Sequence, residues 1–366
     1  MTLHIYFARR YFHAFLILAG IISGFIFLIE MVETTRRFNT DALSLLDMAL
    51  LTLLTVPNSL YAVLPLIMIM ASIVLFLNLA RTSEMVVTRA TGRSASRALI
   101  APSIVAFAVG VFALTALNPI VSATQREHER RTEALVTGED REFSVSPEGL
   151  WLRQGSADGQ TVIHARRANL DGTELYRVSF VTLSPEGRAL SRIEASRAEL
   201  VPGYWMLRNA KEWRLDGLGD IPEQTATKVQ ELDVQTNLTR EGIRDSFGTP
   251  SAIPIWDLPA FISQLDNAGF SALNHRVWFQ TQLALPLTCV AMVMLGACFT
   301  MRHTRMGRTG LMVLLSVMMG FSLYFLRNLA QILAENGQVP VFIAAWAPPF
   351  AAILLTLGLL MQLEDG

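Results

Sequence analysis

The apolar residues of this chain are gathered into six runs, at 12–32, 60–79, 98–121, 277–299, 309–330 and 341–361. Each is about 20 residues long, the length at which an α-helix crosses ~30 Å of hydrocarbon. A water-soluble chain of 366 residues with 52% hydrophobic content would disperse its apolar residues at the period of helices and strands. Bunching on this scale predicts an integral membrane protein with six transmembrane helices. The first run follows Arg9 and Arg10. It is too long for the apolar part of a cleaved leader, and no convincing A-x-A site follows it, so it reads as a retained signal-anchor.

Arginine sets the expected orientation, because short cytoplasmic loops carry the positive excess. Arg9 and Arg10 precede span 1, Arg81, Arg89, Arg93 and Arg97 lie between spans 2 and 3, and Arg302, Arg305 and Arg308 lie between spans 4 and 5. These segments alternate in the sense that makes all three cytoplasmic. The loop between spans 1 and 2 mixes Glu33, Arg36, Arg37, Asp41 and Asp47 without a positive excess. Both termini are then cytoplasmic, and the long segment between spans 3 and 4 lies outside, in the periplasm of a Gram-negative cell. Prolines 57, 65, 286, 348 and 349 lie in or beside spans, where they mark kinks.

That outer segment has a different grammar. "GLWLRQG", "QTVIHARRA", "ELYRVSFVTLS", "LSRIEASRAEL" and "GYWMLRNAKEWRL" alternate apolar and polar residues, with turn signals between them. One face is packed and one is wet, which predicts an all-β periplasmic domain, a sandwich or open roll of the β-jellyroll kind. The expected layout is 1–143 for helices 1–3 with a charged extension of helix 3, 144–245 for the β-domain, and 246–366 for an interfacial helix anchored by Trp256 followed by helices 4–6. On the extension, Arg126, Arg130 and Arg131 fall on or near one helical face. Two readings stand: a solvated face paired to Glu127, Glu129 and Glu133, or a cationic rim for an anionic headgroup.

Several chemistries are missing from the sequence. No G-x-x-x-x-G-K-[ST] loop occurs, nor H-E-x-x-H, C-x-x-C or G-x-S-x-G. The six histidines are scattered, and Cys289 and Cys298, nine apart in one apolar run, read as small core residues. A net charge of −1 points to no nucleic-acid partner. The chain therefore reads as a non-enzyme without cofactor of its own. Ionisable residues inside spans are few. Glu30 and Arg327 lie near the outer ends of spans 1 and 5, where such groups face a cavity or a partner or else snorkel.

Between spans 2 and 3, "ARTSEMVVTRATGRSAS" reads as a helix of about two turns. Thr82 or Ser83 caps it, Glu84 suits its first turn, Gly92 ends it near 82–92, and Ser94 caps span 3. Met85, Val86 and Ala90 are expected on one side and charge on the other. A short helix between spans is also how a permease engages a separate ATPase.

The run "VPNSLYAVLPLIMIMASIVLFLNLARTSEMVVTRATGRS", the three-spans, domain, three-spans layout and "GQVPVFIAAWAPPF" entering span 6 together resemble the LptF/LptG permease family of the lipopolysaccharide export ABC transporter. The resemblance covers nearly the whole chain. Trp346, Pro348 and "GLWLR" lean toward the LptG branch. It implies an inner-membrane subunit that extracts lipopolysaccharide and passes it through a periplasmic β-jellyroll. The implied partners are an LptF-like permease, two copies of an LptB-like cytoplasmic ATPase that binds ATP and Mg, and LptC/LptA-like bridge proteins. It also implies an ATPase-coupling helix here at Arg81, Ser83, Glu84, Arg89 and Gly92, with Glu84 engaging the ATPase, and headgroup contacts at Arg36 and Arg37. A lysine in some members corresponds to Glu30, which is instead expected to pair with Arg36 and Arg37 or with the partner. The alternatives are the sibling LptF role and a non-transporting scaffold whose sheet binds an envelope protein.

Overall fold

The computed structural model describes residues 2–37, 44–90, 94–136, 144–146, 149–156, 159–169, 173–184, 188–215, 226–236, 238, 249–268, 271–301 and 309–365. Two compact units emerge. The first comprises 1–129, 251–255 and 275–366, and the second 130–250 and 256–274.

The first unit is a helical bundle. Helix α1 (Thr2–Arg37) is followed by α2 (Leu45–Arg81), the short α3 (Glu84–Ala90), α4 (Ala95–Phe112), a π-helical turn (Ala113–Leu117) and α5 (Asn118–Val136), whose residues from Arg130 on belong to the second unit. Among the described residues, five helices are long and apolar enough to cross a membrane, and six if one bent pair counts as a single span. At 37 residues, α2 is about 55 Å long, well beyond the hydrocarbon thickness. Asp47, read in the sequence as part of a loop, lies in its first turn, where the Ser44 side chain accepts the Asp47 N–H.

Burial ranks the helices. An apolar 18-residue stretch of α2 is 61% buried, against 6% for the corresponding stretch of α1. The bent pair α7 (Leu273–Leu283) and α8 (Leu285–Thr300) lies against α2, and α8 is apolar and buried on nearly every side. A helix apolar all round belongs in a core. Helices α9 (Thr309–Glu335) and α10 (Val341–Asp365) complete the bundle. Large apolar side chains on α1 stay exposed, among them Phe25 at 62% and Ile29 at 67%. They suit contact with lipid or with another apolar helix.

The 50° bend between α7 and α8 falls where Pro286 occupies the start of α8; proline has no N–H to continue the preceding helix and is favoured there. Gly110 of α4 lets the backbones meet at this bend. A Cβ on Gly110 would lie 2.6 Å from Pro286 Cα. Likewise, Gly296 of α8 receives Ser72 of α2, whose hydroxyl donates to Val293 O at 2.7 Å. Small residues at close crossings are the usual means of packing helices where lipid removes the hydrophobic drive. Gly110→Ala is expected to cost about 1–3 kcal/mol of stability in thermal unfolding of the detergent-purified protein. Gly20→Ala, where nothing lies within 4 Å of the added atom, should leave the midpoint almost unmoved.

Among the described residues, the second unit forms an antiparallel sheet of seven strands in the order β1-β2-β3-β4-β5-β6-β7. The strands are β1 (Ser144–Ser146), β2 (Gly149–Ser156), β3 (Gly159–Ala168), β4 (Glu174–Leu183), β5 (Ala189–Val201), β6 (Tyr204–Arg214) and β7 (Thr227–Gln235). The expected all-β insertion is present, connected as an up-and-down meander. Its packed face carries Leu152, Ile163, Phe180, Trp205 and Leu207. Helix α6 (Leu258–Ala268) covers part of that face with Leu265, Phe261 and Ile262. The helix expected to lie in a membrane interface thus spends its apolar stripe on the sheet core, while Trp256 before it is 65% exposed. Hydrophobic patterning reports that a face is covered and is silent on whether lipid or protein covers it.

Candidate functional site

The bundle end that carries the start of α1 also carries α3. The chain turns from α2 into α3 through Thr82 and Ser83. Ser83 adopts φ 59°, and its carbonyl accepts the Val87 N–H at 3.2 Å. The expected side-chain cap is replaced by this left-handed residue. Two helices joined by two residues leave no room for the extended conformation that a side-chain cap requires. The Thr82 hydroxyl instead donates to Glu84 Oε1 at 2.8 Å. Ser94 does cap α4, accepting the Arg97 N–H at 3.3 Å.

Glu84 is held by α1. Arg10 Nη1 donates to both carboxylate oxygens, at 2.8 and 3.0 Å, and the Tyr6 hydroxyl donates to Oε2 at 2.9 Å. Tyr6 and Arg10 are four residues apart and share one face of α1, with the guanidinium 5.3 Å from the Tyr6 ring centroid. Burial works against the Glu84 charge. The hydrogen bonds from Arg10, Thr82 and Tyr6 outweigh it and hold the carboxyl below its ordinary 4.5. Because the folded value is depressed, the latch contributes fully above 4.5 and is lost as pH falls through the folded value. Spin labels on α1 and α3 should therefore report an unchanged separation from neutral pH down to about pH 5. Widening is expected only on further acidification.

The faces of α3 differ from the expected assignment. Met85 (3% exposed) and Thr88 are buried, whereas Val87 is 64% exposed and Ala90 is also outward. Seven residues make too short a helix for its outward face to be told from its packed face by periodicity. Arg81 is exposed. The side chains of Val86 and Arg89, and all of Gly92, lie outside the described residues.

Beside this latch opens an apolar chamber of about 930 Å³. Phe12 and Leu16 of α1, Pro57 and Leu60 of α2, and Ala108 of α4 line it, and the π-helical turn contributes Leu117. Such turns often occur where a helix wall serves a function. Arg9 is also part of the lining. Consecutive residues of α1 thus face two tasks: Arg9 reaches the chamber and Arg10 grips Glu84.

The remaining sequence candidates are dispersed. Glu30 accepts from the Ser59 hydroxyl at 2.9 Å, so α2 supplies its partner rather than Arg36, which is exposed. The Arg37 side chain lies outside the described residues. Arg126, Arg130 and Arg131 lie on α5 and are all exposed; Arg126 Nε donates to Ser122 O at 3.4 Å. Arg327 is half-buried on α9, within electrostatic reach of Tyr61 and Cys289, in the bundle interior where a charge in a span is expected to lie. Tyr61 in turn donates to Gln282 Oε1 at 2.7 Å.

A family model described as lipopolysaccharide export system permease LptF/LptG matches residues 5–362. The chain belongs to this family. Among curated relatives, the lipopolysaccharide export system permease protein LptG of Escherichia coli K12 is 25% identical over 349 residues, covering 93% of this chain and 92% of the relative. The Haemophilus influenzae protein of the same name is 21% identical over 341 residues, covering 92% of each. Neither the family nor these relatives carries a catalytic name. As an LptF/LptG-family permease with several apolar helices, the chain is a multi-pass membrane protein. The family-like motif entering α10 has a visible structural use: Trp346 Nε1 donates to Gln280 Oε1 of α7 at 3.0 Å, tying the last helix to the bent one. Tyr6 and Arg10 were missed in the sequence. Their i, i+4 spacing at the arginine-rich end of span 1, on the side assigned to the 80–97 loop, was the signal that could have found them.

Proposed function

We propose that this permease is the LptG-like subunit of a transporter that withdraws lipopolysaccharide from the inner membrane and passes it toward a bridge to the outer membrane. The termini and α3 are cytoplasmic and the sheet is periplasmic. A separate ATPase, holding ATP and Mg, supplies the energy, and an LptF-like chain completes the pathway. One observation carries the mechanical part of this reading: Glu84 ties α3 to α1, and α1 forms a wall of the apolar chamber.

Moving a multi-acyl lipid through water costs ~0.8 kcal/mol per CH₂, tens of kcal/mol in all. An extractor must keep the chains among apolar side chains and take its force from elsewhere. In this reading the ATPase grips exposed Val87 of α3 and exposed Arg81 at the end of α2, with Arg89 and Gly92 close by in sequence. Ser83 is the hinge. Displacement of α3 pulls on Glu84, Glu84 pulls on Arg10, and α1 moves against α2 and α4 to reshape the chamber. Arg36, Arg37 and Arg126 supply positive charge for phosphates near the opposite bundle end, and Arg130 and Arg131 add to it further along α5.

The reading is tested by purifying the chain with its native partners and identifying what accompanies it. An ATPase, a second permease chain and bound lipopolysaccharide are expected, with ATP hydrolysis that responds to the lipid. A chain that carries an envelope protein on its sheet, with neither ATPase nor lipid, would instead be a scaffold.

A further inference from the structure

The face of the sheet opposite its apolar core is creased along one row. Ladder pairs Ala165↔Val178 and Arg167↔Tyr176 place Arg166 opposite Arg177. Pairs Tyr176↔Arg197 and Val178↔Ala195 place Arg177 opposite Ser196. Pairs Glu194↔Lys211 and Arg197↔Arg208 bracket Ser196 and Asn209. No regular pair forms along this row itself. At the same level each strand turns two successive residues outward, so buried positions change parity: Leu175 then Val178, Ala195 then Ala198, Leu207 then Ala210.

Two non-glycine residues in the row, Arg177 and Asn209, both adopt φ 52°. Left-handed backbone is disfavoured for such residues and is kept where surrounding structure enforces it, often at functional sites. Irregularities of this kind re-aim side chains. Here they double the outward row and fill it with cations.

The result is a cleft of about 590 Å³ in which Arg166, Arg177, Arg192 and Lys211 meet Asn209 and Trp213. A second depression of about 530 Å³ continues from it at Arg166 and Arg177 and adds Arg167 and Tyr176. Lys211 Nζ lies 4.7 Å from the Trp213 ring centroid. Lys211 also stands directly opposite Lys228, a like-charged pair that weakens a sheet. Glu194 lines the cleft and is paired with Arg192, and Glu174 nearby is engaged by Arg197 and Tyr176. Glu199, Glu231 and Asp233 lie on the same face outside the cleft lining.

We propose that the creased face binds a phosphorylated saccharide. Guanidinium forks hold phosphates, Ser196 and Asn209 meet sugar hydroxyls, and the Trp213 ring supplies an apolar face for a pyranose. Resting on the function proposed above, the occupant is the sugar-phosphate portion of the exported lipid, held by a surface distinct from the apolar chamber.

The test uses the full permease with its partner subunits in phospholipid nanodiscs. Titrants are phosphorylated core oligosaccharide freed of acyl chains, the same oligosaccharide after phosphatase treatment, and inorganic phosphate. Arg166→Gln with Arg177→Gln should weaken binding of the first titrant about tenfold or more, while Arg188→Gln outside the cleft leaves it unchanged. Arg177→Gly provides a control for folding. It should raise the melting temperature by relieving the left-handed residue and still weaken binding. Four results would overturn the proposal: no binding to wild type, equal binding by the double variant, equal binding of the dephosphorylated sugar, or equal binding of inorganic phosphate. An acidic protein found seated on this face in the native complex would also overturn it. Absence of saccharide binding in a complex that still exports lipopolysaccharide defeats this inference alone, whereas a complex that never holds lipopolysaccharide defeats the proposed function.

Discussion

Glu84→Lys is expected to lower lipopolysaccharide export by about 5- to 150-fold, the range in which two sites are commonly coupled. Insertion and abundance of the chain should be unaffected. The carboxylate accepts from Arg10, Tyr6 and Thr82 at once. A lysine presents a second cation to Arg10 and leaves Tyr6 and Thr82 without their acceptor. The Arg10 and Glu84 side chains remain 36% and 33% exposed, so water screens the pair and its net stability contribution is only about 1 kcal/mol or less. The variant therefore folds, and its defect is mechanical. Export in cells and ATP hydrolysis by the purified complex measure the two halves: export falls while hydrolysis persists.

The second large effect is expected from filling the chamber. Ala108 lines the space from α4 and is itself exposed to it, so Ala108→Trp projects a ring into open volume rather than into packed core. Once a lipid has been lifted out of the bilayer, the alternative to the chamber for its chains is water. Excluding about four methylenes from shelter costs ~3 kcal/mol, about two orders of magnitude in occupancy of the extracted state. Lipid cross-linking from a probe at Leu16 should fall by a similar factor, with the thermal midpoint unchanged. Normal export by the Trp variant would remove the chamber from the transport path.

The spans, the all-β insertion and the short helix at 84–90 were legible in the sequence because each follows a local period or length that hydrocarbon and backbone chemistry impose. What was not legible depends on neighbours distant in sequence. The family resemblance assigns Glu84 to an ATPase, with Arg81 and Arg89 its near basic neighbours in sequence, whereas the groups of α1 that hold it lie 74 and 78 positions away. Glu30 likewise found Ser59 across a helix pair. The crease of the sheet was hidden for another reason. Alternation in β4, β5 and β6 persists on either side of Arg177, Ser196 and Asn209, and only the parity of the buried residues changes. The helix before α7 shows the same limit, since an apolar stripe does not name what covers it.

These observations make the latch between α1 and α3 the centre of the account, and a reciprocal charge exchange addresses it most directly. Export and ATP hydrolysis are measured for Arg10→Glu, Glu84→Arg and the two combined. If the pair carries force between α3 and α1, each single variant exports poorly while still hydrolysing ATP, and the double variant regains most of the lost export. If Glu84 acts only through the ATPase, the double variant exports no better than Glu84→Arg alone. That outcome, or normal export by Arg10→Glu, would contradict the account.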